Sequence, residues 1–249
     1  MELVVNGLKI FYKAKKGGNK DDIPLLFLHG AGCTSYTWYN QIKADIPGYT
    51  QIAMDLPGHG RSDGEGAESI EKYCDFIEQF LDVLNIDNVA IAGHSMGGAI
   101  AQLFALKYKE KLDSLILIGT GAKLRTSQAL LKMVKRGESL AEYSYSHKTQ
   151  GTLIKNAEKE FLLTTPMTRY KDFMACDGFN LIDKIKDIET RALILCGEDD
   201  IATPIKYSDY LRNNIMNTQL HIIPEAGHMV MWEKPEVVNK HIVDFLSNA

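Results

Sequence analysis

The stretch from Val89 to Leu106, VAIAGHSMGGAIAQLFAL, constrains this chain more than any other. Its opening apolar run, Val89 to Ala92, reads as a buried strand, and the longer Pro-free run from Ala99 to Leu106 reads as a buried helix. Between them, Gly93-His94-Ser95-Met96-Gly97 is a G-x-S-x-G with a strand before it and a helix after it. That is the setting of a nucleophile elbow. A serine at the apex of such a turn is lifted clear of its surroundings, in a strained backbone conformation. Side chains two places to either side would collide with each other or with the neighbouring strand, so glycine is expected at positions 93 and 97. The helix that follows aims its free N–H groups back at the apex, where they can meet negative charge developing on a substrate oxygen.

Upstream, Glu2 to Val5 and Leu8 to Lys13 alternate apolar and polar residues about Asn6-Gly7, a hairpin signal. Pro24 to Leu28 is a continuous apolar run, as expected of a strand covered on both faces, and it ends at His29-Gly30-Ala31-Gly32-Cys33. A strand at Thr50 to Met54 runs into Asp55-Leu56-Pro57-Gly58-His59-Gly60-Arg61-Ser62. Ile70, Tyr73, Ile77, Phe80, Leu81 and Leu84 then follow at helical spacing. Another strand is expected at Ser114 to Ile118. Strand–helix alternation of this kind implies parallel strands joined by helical crossovers.

The alternation breaks at Gly119. From Lys123 to about Asp187 the apolar residues fall at helical spacing, as in Leu130, Leu131 and Val134, or Leu153, Ala157 and Phe161. The segment is too long for a simple connection, and it reads as a helical insertion over residues 123–187 within a core of residues 1–122 and 188–249. Alternation resumes with a strand at Arg191 to Cys196, a helix from Pro204 to Asn214 and a strand at Gln219 to Ile223. Pro235 opens a last helix whose Val238, Ile242, Phe245 and Leu246 form one apolar stripe.

A serine hydroxyl becomes a useful nucleophile when an imidazole takes its proton and a carboxylate holds the far ring nitrogen. Ligands of open α/β sheets sit at the carboxyl ends of strands, which directs attention to the loops after the last two strands. One carries Glu198, Asp199 and Asp200, and the other carries His228 behind Gly227. The order serine, acid, histidine is the one expected with this elbow. Of the seven histidines, His29 and His59 also occupy strand-end loops, but both precede Ser95. His94 should point away from the site, His221 and His241 lie within a strand and a helix, and His147 falls in the insertion. The residues alone leave the choice among the three acids open.

Four motifs now stand in order: HGAG from His29, DLPGHGRS from Asp55, GHSMGG from Gly93, and GEDDIATP with AGHMVMWEKP near the C-terminus. Together they resemble the α/β-hydrolase superfamily in its small, cap-bearing, esterase-like branch, over residues from about 25 to 245. The resemblance implies a mostly parallel central sheet with helices on both faces and a helical cap. It also implies a triad of Ser95, Asp200 (the last residue of a G-x-x-D step) and His228, with an oxyanion hole from the backbone N–H groups of Ala31 and Met96. Aspartate-nucleophile relatives are disfavoured by the serine at position 95.

A cap over the strand ends would cover Ser95. Its apolar residues (Met133, Tyr143, Tyr145, Leu162, Met167, Phe173 and Met174) are expected mainly as a small core of their own, with some facing inward. Trp38, Met229 and Trp232 are expected to line the substrate pocket and Cys33 to form part of its wall; Arg125 and Arg169 could pair with a substrate carboxylate, but solvation at the surface is the expectation for both. A mainly hydrophobic pocket suits an acyl chain or aromatic acid. The reading is a serine hydrolase of carboxylic esters. C–C bond or enol-lactone hydrolysis on the same triad is the alternative, as is a slow-turnover small-molecule receptor. No metal-ligand spacing, phosphate loop or dinucleotide fingerprint occurs, so no cofactor or metal is expected. With a net charge of −4 and no basic cluster beyond Lys13, Lys15 and Lys16, a nucleic-acid partner is not expected either. The absence of an apolar run of membrane-spanning length, the lack of an export-signal pattern and four scattered cysteines point to a cytoplasmic protein, and the partner expected for a monomer or homodimer of this kind is a small-molecule ester.

Overall fold

The computed structural model describes residues 1–19, 21–149 and 151–247. Among these residues, eight strands form one sheet: β1 (Glu2–Val5), β2 (Leu8–Lys15), β3 (Ile23–Leu28), β4 (Tyr49–Met54), β5 (Val89–His94), β6 (Leu112–Ile118), β7 (Ala192–Gly197) and β8 (Thr218–Ile223). Their order across the sheet is β1-β2-β4-β3-β5-β6-β7-β8. Asn6 and Gly7, both at positive φ, form the two-residue turn between β1 and β2, with Val5 opposite Leu8. β2 also pairs antiparallel with β4, and from β4 to β8 every pairing is parallel.

The helices are α1 (Tyr39–Lys43), α2 (Ile70–Val83), α3 (Met96–Lys107), α4 (Gln128–Arg136), α5 (Ala141–Ser144), α6 (Gly151–Phe161), α7 (Pro166–Gly178), α8 (Ile205–Asn214), α9 (Val230–Glu233) and α10 (Pro235–Ser247). The apolar runs of the parallel strands divide by alternation. Leu26, Leu28, Ile91, Leu115, Leu117 and Ile194 join one core with residues of α2, α3 and α8. Leu25, Phe27, Ala92, Ile116, Ile118, Leu193 and Leu195 join the other with Trp38 and residues of α9 and α10. A strand turns successive side chains to opposite faces, so a run that is apolar throughout requires cover on both sides. A short helix at Tyr39–Lys43, whose five residues are too few to show a helical period in the sequence, helps to cover the second face through Ile42.

Among the described residues, four helices, α4 to α7, stand between β6 and β7. Their stem is narrow: Lys123 and Asn180 form an isolated antiparallel bridge, and the Leu181 N–H donates to the Ala122 carbonyl at 2.7 Å. Beyond that bridge, Leu181, Ile185 and Ile188 already pack into the first core. The expectation that Leu162 and Met167 belong to a small core of the insertion is corrected, since they are 73% and 52% exposed. The side chain of Ala157 lies outside the described residues. No described helix is long and apolar enough to cross a membrane.

Truncating a side chain in a close-packed core leaves a cavity as well as losing burial. Leu117→Ala, at a fully buried position of β6, should therefore cost about 2–5 kcal/mol in chemical unfolding. Leu162→Ala should shift it by less than about 0.5 kcal/mol. Similar losses for the two variants would refute this division of the chain.

Candidate active site

Parallel strands deliver their carboxyl ends to one edge of the sheet, and the loops after β3, β5, β6, β7 and β8 meet there. At the end of β5, Ser95 has φ 53° and ψ −114°, a strained conformation for a residue with a side chain. The flanking glycines are required for the reason read from the sequence. A Cβ on Gly93 would stand 2.2 Å from the Gly97 carbonyl oxygen, and one on Gly97 would stand 2.2 Å from the carbonyl oxygen of Leu28 in β3. The Ser95 N–H donates to Ile118 O at 3.0 Å, and its carbonyl accepts from Thr120 Oγ1 at 2.9 Å, so the turn is tied to β6 from both sides.

The three acids after β7 go to three different places. Asp200 is buried, and its Oδ2 accepts from His228 Nδ1 at 2.8 Å and from Thr203 Oγ1 at 2.9 Å. Its Oδ1 accepts from the N–H groups of Ala202 and Thr203 at 2.9 and 2.8 Å. Burial alone would raise the Asp200 carboxyl, but the His228 ring and the Thr203 donors together hold it below the ordinary carboxylate range. Asp199 instead accepts from Ser146 Oγ in the insertion at 2.5 Å, and Glu198 is exposed. Gly119, after β6, leaves room for the pair, because a Cβ there would approach His228 Nδ1 to 3.2 Å.

Ser95 and His228 line one cavity, of about 350 Å³. No hydrogen bond joins the Ser95 hydroxyl to the His228 ring or to any other described residue. Hydrogen bonds of this type often tighten only when substrate binds. The N–H groups of Ala31 and Met96 likewise have no hydrogen-bond partner among the described residues. Met96 opens α3, where a helix has no acceptor of its own to offer.

The other histidines are accounted for by the packing. His94 is buried against His228, with ring centroids 4.6 Å apart, and its Nε2 donates to the His228 carbonyl at 3.0 Å. It therefore supports the His228 loop rather than pointing away from the site. His29 accepts from the Leu56 N–H and donates to the Gly30 carbonyl. His221 and His241 stack on each other at 4.0 Å. His59 meets Asp172 of α7, a buried residue that nothing in the spacing of the chain had marked.

The cavity walls correct several sequence expectations. Met229 lines the cavity, but Trp38 and Trp232 do not: Trp38 packs on Phe27 in the second core, and Trp232 donates to the Thr37 carbonyl at 2.7 Å. Cys33 lines the cavity, as do Met133, Tyr143, Tyr145 and Phe173 of the insertion. Arg125 is exposed at the cavity, whereas Arg169 is buried over the Phe161 ring and donates to the Phe161 carbonyl. Glu233, from the WEKP motif, accepts from the Gly227 N–H beside His228 and from the Ser146 N–H of the insertion, both at 2.9 Å.

The chain matches the model of the alpha/beta hydrolase family over residues 25–241, and it belongs to that family. Among curated relatives, the 2-hydroxy-6-oxononadienedioate/2-hydroxy-6-oxononatrienedioate hydrolase of Comamonas testosteroni is 27% identical over 257 residues, spanning 90% of this chain and 88% of that protein. Among solved structures, the enol-lactonase from Burkholderia xenovorans LB400 superposes with a TM-score of 0.91 at 20% identity, covering 99% of this chain and 100% of that one. A thermophilic esterase superposes with a TM-score of 0.84 at 29% identity, covering 100% of this chain and 97% of that one. The fold is the α/β-hydrolase fold, and hydrolysis is the activity that family and relatives support.

Burial, reinforced by the charge of His59, lowers His29 to about 3; burial and the neighbouring His228 carry His94 well below its ordinary value. Both are neutral in the fold, whereas in the unfolded chain a histidine binds a proton near pH 6.5. The unfolded state therefore takes up more protons as pH falls below 6.5, and stability declines with it. Melting temperature should drop between pH 7 and 5. The drop should be smaller in His29→Gln, whose Oε1 can still accept from Leu56. An unchanged pH slope in that variant would rule the explanation out.

Proposed function

We propose that this protein is a serine hydrolase that cleaves carboxylic esters of small, largely apolar acids through an acyl-enzyme, with Ser95, His228 and Asp200 as its triad. The observation that carries the reading is the buried Asp200–His228 pair, 2.8 Å long, at the wall of the cavity that also holds Ser95. With Nδ1–H committed to Asp200, the lone pair of His228 Nε2 is available to take the Ser95 proton. Ser95 Oγ then bonds to the acyl carbon, and the carbonyl oxygen gathers negative charge opposite the Ala31 and Met96 N–H groups. The imidazolium returns its proton to the leaving alcohol as the ester C–O bond breaks. Water repeats the sequence, releasing the acid and restoring the serine. The chain's own residues supply every group in this cycle.

The apolar side chains facing the cavity, among them Leu124, Leu130, Met133, Phe173 and Met229, favour an apolar acyl group, and the volume is within the usual range for small ligands. On this reading the inserted segment, residues 123–187, acts as the cap. The four cysteines, not bridged to one another among the described residues, fit a reducing cytoplasm. A second reading, hydrolysis of a C–C bond by the same residues, is favoured by the Comamonas testosteroni relative and by Arg125, a cation at the cavity suited to a carboxylate-bearing substrate.

Two sets of assays test these readings. Ser95→Ala and His228→Ala should remove nearly all turnover of p-nitrophenyl esters, and Asp200→Asn should lower it by about 10⁴. Asp199→Asn and Glu198→Gln should have far smaller effects; a large loss at Asp199 with Asp200 unaffected would overturn the acid assignment. A panel of increasing acyl length, run beside 2-hydroxy-6-oxononadienedioate, separates ester from C–C hydrolysis. No Ser95-dependent turnover of any ester would defeat the ester reading.

A further inference from the structure

Asp172 stands on α7, outside the proposed triad, yet it is fully buried and ends beside the turn that carries the Ala31 N–H. Its Oδ2 accepts from the Gly32 N–H at 2.8 Å and from His59 Nε2 at 2.7 Å, and its Oδ1 accepts from the Tyr73 hydroxyl at 2.5 Å. His59 Nδ1 lies 3.1 Å from the Pro57 carbonyl, which can only accept. Both ring nitrogens of His59 therefore donate, and the ring is a cation paired with the Asp172 carboxylate. Burial alone would lower the His59 pKa, but the charge and hydrogen bond of Asp172 raise it above the ordinary value.

The bond to Gly32 has a specific consequence for the loop. The Cys33 N–H donates to the Gly30 carbonyl at 3.1 Å, closing a four-residue turn whose third residue, Gly32, has φ +71°. Positive φ at that position marks a type II arrangement, which differs from type I by a flip of the central peptide. The Gly32 N–H belongs to that central peptide, between Ala31 and Gly32. Asp172 holds that peptide in one of its two orientations and so anchors the turn at the residue that follows the Ala31 N–H.

We infer that Asp172 is a positioning residue that aims the Ala31 N–H at the substrate oxygen, so that seating of the inserted helices is coupled to stabilisation of the oxyanion. The inference rests on the serine-hydrolase reading. The carboxylate suits the role because it accepts from all three donors at once. Asparagine offers one acceptor oxygen and an amide that donates, so it cannot satisfy Gly32, the His59 cation and Tyr73 together.

The test compares native protein with Asp172→Asn on a p-nitrophenyl ester and on a trifluoromethyl ketone that forms a charged tetrahedral adduct with Ser95. Misaiming one donor is a partial form of losing it, which costs about 10²–10³ in kcat. The expected result is a fall in kcat of roughly tenfold or more with KM nearly unchanged, and a matching loss of ketone affinity. Binding of the carboxylic acid product, which is not tetrahedral, should stay constant. A folded Asp172→Asn with native kcat and ketone affinity overturns the inference, as does a rise in KM at constant kcat. If Asp172→Asn does not fold, Tyr73→Phe decides: a several-fold lower kcat at constant KM supports the inference, and an unchanged kcat overturns it. Absence of any Ser95 adduct in the native protein would instead defeat the hydrolase reading, and this inference with it.

Discussion

The close passage of Gly97 over the backbone of β3 is the contact on which the rest of the arrangement depends. With only 2.2 Å between a hypothetical Cβ and the Leu28 oxygen, any larger residue would push α3 off the sheet. The cost would not stay local. It would draw Ser95 away from Gly30, where a Cβ would already lie 3.3 Å from that of Ser95. Strain in the Ser95 backbone is tolerated because two parallel strands, a helix and the Thr120 hydroxyl hold the turn from several sides.

The inserted helices are fastened to the loops of the site at two separated places. On one side, Asp172 reaches down to Gly32, and on the other, Glu233 binds both Gly227 and the Ser146–Thr149 turn. Asp199 adds a further contact through Ser146. These bonds join backbone N–H and hydroxyl donors to carboxylates, and such charge-assisted hydrogen bonds are stronger than neutral ones. The insertion therefore shares hydrogen-bonded carboxylates with the segments that carry His228 and Ala31.

Two buried histidine–carboxylate pairs stand in the fold. His228 with Asp200 lies at the cavity, and His59 with Asp172 lies beneath the loop after β3. The histidine next to each pair is held neutral: His94 beside His228, and His29 beside His59 at a ring separation of 4.7 Å. Burial disfavours a proton on either of these rings, and the neighbouring histidine adds to the effect.

Much of this was legible in the order of residues. The hairpin at Asn6-Gly7, the parallel strands, the elbow glycines and the pairing of a late acid with His228 follow from local rules: turn chemistry, alternation and steric exclusion act over a few neighbours. Resemblance was needed to prefer Asp200 over Asp199, since adjacent carboxylates differ only in where the folded loop points them. Trp38 and Trp232 were misplaced because proximity to a loop end says nothing about which face of the sheet receives a ring. Arg169 and Asp172 were beyond reach for the same reason, as both sit on an ordinary amphipathic helix whose partners, Phe161, Gly32, His59 and Tyr73, are supplied by other parts of the chain. Local sequence determined the strands, the sharp turn and the chemistry available at its tip. Tertiary packing alone decided which carboxylate meets which donor, because a buried charge is settled by distant groups that satisfy it in three dimensions.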